Sequence, residues 1–219
     1  MDAPKVFDPY DVIGVITPGT VLALLLVLHS SELRVLLGDK GLTVGDLGLF
    51  VMVAFVLGQM LTAMGRLVEV VVFIGEDLPT DTLRKNGQRI LTTEQCKALE
   101  IKAGVMEGIP VELSTVSRQD WRIITARMAS RVRAAGRGQR FEIHNRTFGM
   151  ARGLTAAFSI AAGTYAWFHL QRIDVIALAV ILALAAAMKM RRAGKHYARG
   201  LFIEFLDLDG GSKTPPVAP

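Results

Sequence analysis

The residues best suited to chemistry are few and scattered. The 219 residues include four histidines (His29, His144, His169, His196) and one cysteine, Cys96. No two of these histidines stand at a spacing that builds a metal site within one element. Glu142-Ile143-His144 has the residue types of a base–acid pair, yet residues two apart on a helix point away from each other. The sequence holds no phosphate-cradling glycine loop, HExxH motif, paired-cysteine zinc site or nucleophile elbow. The expectation is a protein that is not an enzyme and uses neither metal nor cofactor.

The remaining concentration of polar chemistry is arginine. Arg118, Arg122, Arg127, Arg131 and Arg133 flank Trp121, Ile124, Met128 and Val132, which fall on one face of a helix. This pattern has three readings. The aliphatic residues insert into an anionic lipid surface while the arginines meet phosphates. Alternatively, the basic face binds nucleic acid or an acidic partner protein. The third is a packed domain face whose arginines follow from membrane topology, and it asks for the least. Nucleic-acid binding is not expected of this chain.

The elements that must position these residues are apolar. The composition is 51% hydrophobic and 21% charged, which excludes disorder, and a single cysteine excludes a disulfide framework. Three stretches without a charge reach membrane-spanning length: residues 12–31 (20 residues), 47–65 (19) and 153–171 (19). About 20 helical residues cross a bilayer. A fourth stretch, 175–188, has 14 residues, and Lys189 and Arg191 extend it by snorkelling. Residues 171–174 then form a tight turn between the third and fourth spans. The first run follows three acidic residues against one lysine and precedes no small-x-small site, so it is expected to be retained rather than cleaved.

The predicted fold class is an all-α membrane protein with four transmembrane helices and a mainly helical cytoplasmic insert between the second and third. Its segments are an N-terminal pair (1–75), a basic domain (76–148), a C-terminal hairpin (149–192) and a tail (193–219). Residues 76–152 carry 14 lysines and arginines and the chain from 189 onward carries 6, against two in residues 30–46. The positive-inside bias therefore places the insert and both termini in the cytoplasm.

Several residues stand out within these segments. Pro18, with Gly14 and Gly19, marks a hinge or a static kink in the first span, with Thr17 and Thr20 able to satisfy freed carbonyls. Gln59 is the one amide near mid-membrane and needs a partner there. Arg66 and Glu69, one turn apart, are placed to pair. Gly149, Gly153, Ala157 and Ala161, and again Ala179, Ala183 and Ala187, form stripes that let helices approach closely, within one subunit or between subunits. In the insert, Thr93 is expected to cap a helix ending at Gly104, residues 111–116 to form a short strand, and Ser117 with Asp120 to open the arginine-bearing helix.

Residues 7–14 (FDPYDVIG) with Thr17-Pro18-Gly19, and residues 191–201 (RRAGKHYARGL), resemble small bacterial membrane proteins of anti-phage defence loci, the Kiwa membrane subunits among them. The resemblance lies in organisation and two short motifs, and it brings no catalytic residues. It implies a homo-oligomer that works with a cytoplasmic partner as a membrane sensor or a membrane-disrupting effector. The other classes open at this point are a channel or transporter, with polar residues converging around Gln59, Thr17, Thr20 and Ser159, and an anchor that recruits a soluble protein.

Overall fold

The computed structural model describes residues 9–29, 44–74, 78–86 and 90–208. Among them are eight helices and no strand: α1 (Pro9–His29), α2 (Val44–Ala63), α3 (Gly65–Val72), α4 (Pro79–Asn86), α5 (Thr93–Glu107), α6 (Arg118–Ala134), α7 (Gln139–Phe168) and α8 (Ile173–Leu206). α2 and α8 are long and apolar enough to cross a membrane. The chain divides into two compact units, one of residues Met1–Ile74 and Arg146–Arg192, the other of Gly75–Asn145 and Ala193–Pro219. Residues 193–208 of the tail thus fold with the basic insert. The candidate start of α1 at Asp8 and the segment beyond residue 208 lie outside the described residues.

The first unit is built on helix backbones that nearly touch. A methyl group on Gly19 of α1 would overlap the Ala54 carbonyl of α2, and one on Gly58 would overlap the Val15 carbonyl. The absent side chains of these glycines are what permit so close an approach of the two backbones. The buried side of α2 reads Ala54, Gly58 and Leu61, and Gly65 at the start of α3 is buried too. α7 joins through Gly153, whose absent Cβ leaves room for the Pro18 ring, and through Ala156 and Ala157, which pack with Leu61.

The second unit has a larger apolar core. Trp121, Phe141, Phe202, Phe205, Leu99, Met128 and Leu201 are all fully buried in it. Helix boundaries follow from capping chemistry. Thr92, not Thr93, opens α5: its hydroxyl accepts from the Gln95 amide (3.3 Å) and the Gln95 side chain accepts from the Thr92 amide (3.0 Å). The helix runs through Gly104 to Gly108, where φ is +73° and a side chain would be strained. Ser117 opens α6 as expected, accepting from the Asp120 amide at 3.1 Å.

Residues 111–116 turn rather than extend. The Thr115 and Val116 amides donate to the Glu112 carbonyl, the Leu113 amide donates to Glu100 Oε1 (2.8 Å), and Arg84 donates to the Val116 carbonyl (2.9 Å). With its polar backbone groups engaged this way, and no strand beside it among the described residues, the expected strand does not form.

Candidate functional site

The arginine-bearing helix sits with its apolar face inward. Trp121, Ile124, Met128 and Val132 are buried in the core of the second unit, so they are not available to enter lipid. Trp121 also donates its indole N–H to the Thr80 carbonyl at 2.8 Å. The lipid-insertion reading of this stripe is therefore replaced by that of a packed face.

Most of the flanking arginines hold carboxylates. Arg118 Nε donates to Asp81 at 2.8 Å and Arg122 lies 3.6 Å from the same oxygen. Asp81 is fully buried and its second oxygen has no hydrogen-bond partner. A lone buried carboxylate is costly, and the two guanidiniums beside it offset that cost. Arg127 pairs with Glu107. Arg133 pairs with Glu142 at 2.7 Å and lies 5.6 Å from the Phe141 ring centroid. Arg131 is exposed and has no ion-pair partner among the described residues. The α6 arginines chiefly bind their own unit together.

In the first unit, Pro18 lies inside a helix that continues on both sides of it. Pro18 and Gly19 are buried contact residues, whereas Gly14 faces open space. Thr17 donates to the Ile13 carbonyl (2.7 Å), one residue before the carbonyl that Pro18 leaves unbonded. Of the α7 stripe, Gly153, Ala157 and Ala161 are buried, whereas a methyl group on Gly149 would meet nothing within 4 Å. On the part of α8 in this unit the buried positions are Ala179, Ala186 and Met190, while Ala183 and Ala187 are half-buried. Gln59 and Ser159 are both exposed.

Arg152, not Arg66, pairs with Glu69, at 2.6 Å, and its guanidinium fills the space that a Gly65 side chain would take. Arg191 donates to the Val72 carbonyl at 3.0 Å and lies 5.9 Å from the Phe73 ring centroid. These two arginines fasten α3 by its polar side. Leu67, Val70, Val71 and Ile74 remain exposed on the other.

The histidines come together in pairs that their sequence spacing does not suggest. His29 Nδ1 and His169 Nε2 are 3.3 Å apart, and the His144 and His196 rings stack with centroids 5.2 Å apart. Each pair ties two helical segments within one unit. Among the described residues, no three of His, Cys, Asp and Glu are grouped. Burial, then the neighbouring Glu100 carboxylate, pushes the Cys96 thiol above its ordinary range.

The second unit also exposes an apolar groove of about 550 Å³. It is lined by Ile101, Gly104, Val105, Ile109, Pro110 and Val111, of which Ile101, Val105 and Ile109 are largely exposed. Its lining is mostly apolar, and no pattern in the sequence points to it.

Comparison with protein-family models, curated proteins and solved structures finds no match to this chain.

Proposed function

We propose that the protein is a non-enzymatic, oligomeric inner-membrane protein that senses or disrupts the membrane in bacterial anti-phage defence, acting with a cytoplasmic partner. In this reading α1, α2, and the parts of α7 and α8 in the first unit are four spans, and both termini face the cytoplasm. The observation that supports it is the exposure of the apolar helices. In the most apolar 18-residue stretch of each, only 17% of α2 and 11% of α8 are buried. The core helix of a water-soluble protein is mostly buried, so a low-dielectric solvent is the natural cover for these faces. Exposed Arg66, Lys189 and Arg192 are the cations that would meet anionic headgroups at the inner surface.

The second unit has its own core, its own ion pairs and the Ile101–Val105–Ile109 groove, which suits an apolar protein partner. This favours partner recruitment as a second reading, in which the spans only anchor. Membrane potential and phage plating, measured in cells expressing the chain with its genomic neighbours, test the first reading. It predicts depolarisation or protection that is lost when α2 carries a charge at Val56. No change in either quantity, with partner recruitment intact, would leave the anchor.

A further inference from the structure

We infer that α2 pairs with α2 of a second copy along a seam of Met52, Val56, Gln59 and Ala63, with the Gln59 carboxamides hydrogen-bonded across it. The inference rests on the membrane reading above. α2 turns two opposite faces. One, Ala54, Gly58 and Leu61, is buried within the subunit; Met52 and Val56 on the other are 64% and 52% exposed, and Gln59 and Ala63 are exposed with them.

The exposed set recurs at four, three and four residues, the spacing of a helix-pairing seam. Its middle holds the one carboxamide of α2. Gln59 makes no side-chain hydrogen bond among the described residues, and α2 rises about 6 Å more from it to Ala63, with Arg66 beyond in α3. An amide left in hydrocarbon without a partner costs free energy, and acyl chains offer none. The residue's own helix is only half a substitute: a ladder carbonyl can accept from the carboxamide N–H₂, but the ladder leaves no N–H free for the carboxamide oxygen.

A second copy supplies what is missing. A carboxamide carries both donor and acceptor, so two Gln59 side chains related by a two-fold axis satisfy each other. A lone polar side chain within an apolar seam also fixes register and partner. Lipid covers Met52 and Val56 equally well but leaves Gln59 unpaired.

Cysteine crosslinking in native membranes tests this, in full-length chains carrying Cys96→Ser and expressed with two different tags. Met52→Cys, Val56→Cys and Ala63→Cys should give disulfide-linked bands containing both tags. Val53→Cys and Leu57→Cys, turned away from the seam, should not. Adding Gln59→Leu should weaken the pairing by about 3- to 20-fold, and Gln59→Asn should restore part of it. Absence of seam crosslinks, equal yields at all five positions, or an adduct with a different protein would overturn the inference. Alkaline carbonate extraction of the same membranes separates the two claims. Protein that stays in the pellet without seam crosslinks refutes the pairing alone, and release into the supernatant refutes the membrane reading and the pairing with it.

Discussion

Adding a single methyl group should have opposite effects at two glycines of the first unit. On Gly58 the new Cβ would lie 2.9 Å from the Val15 carbonyl carbon and closer still to its oxygen, whereas ordinary contact begins at 3.4 Å. Both obstacles are backbone, so neither can rotate away. The oxygen, the nearer obstacle, sets the displacement: α1 and α2 must part by about an ångström or more, which forfeits about half of each close contact along the crossing. Overpacking of this kind costs about 1–3 kcal/mol. On Gly14 the methyl meets nothing within 4 Å, and replacing a mid-helix glycine by alanine stabilises by up to about 1 kcal/mol. Gly58→Ala should lower, and Gly14→Ala should hold or raise, the stability of the purified protein in bicelles. Denaturant titration followed by far-UV circular dichroism reads both. If Gly58→Ala proves as harmless as Gly14→Ala, the close approach of α1 and α2 is wrong.

Three further outcomes follow from particular contacts. Removing both guanidiniums from Asp81 (Arg118→Ala with Arg122→Ala) should destabilise by about 3 kcal/mol or more, because a buried carboxylate is stranded. Asp81→Asn should cost less, since the arginines it releases are already half in water; near-ultraviolet dichroism of the adjoining Trp121 follows both. Gly65→Ala should push Arg152 off Glu69, so that its effect and that of Glu69→Gln add to less than their sum in a double-mutant cycle on thermal stability. Cys96, with its thiol pKa raised, holds less thiolate at a given pH than a free cysteine. Its alkylation by iodoacetamide at pH 8 should be slower than that of a short unstructured peptide, with the rate midpoint displaced to higher pH, and denaturation should abolish the difference.

What the sequence discloses depends on how local its cause is. The Trp121–Val132 face and the Ser117 cap are readable because a helical period and a capping pair lie within a few residues. The strand expected at 111–116 fails because its fate is decided by Glu100 and Arg84, which belong to other helices. Glu69 has an arginine three residues earlier, yet it pairs with Arg152, 83 residues away, which the missing Gly65 side chain admits. The stripe at 179, 183 and 187 follows a strict four-residue step. A helix turns every 3.6 residues, and the buried row drifts to 186 and 190. Gly58 and the His29–His169 contact, 140 residues apart in the chain, have no local signature at all.

The central claim is that lipid covers the outward faces of α2 and α8. Spin labels at Val56→Cys and Ile181→Cys, and at Ile101→Cys in the second unit, report their solvent directly once the full chain (with Cys96→Ser) is in liposomes. Oxygen should relax the first two labels strongly and a water-soluble nickel chelate barely touch them, with the reverse at residue 101. Strong relaxation by the nickel chelate at residues 56 and 181 would contradict it.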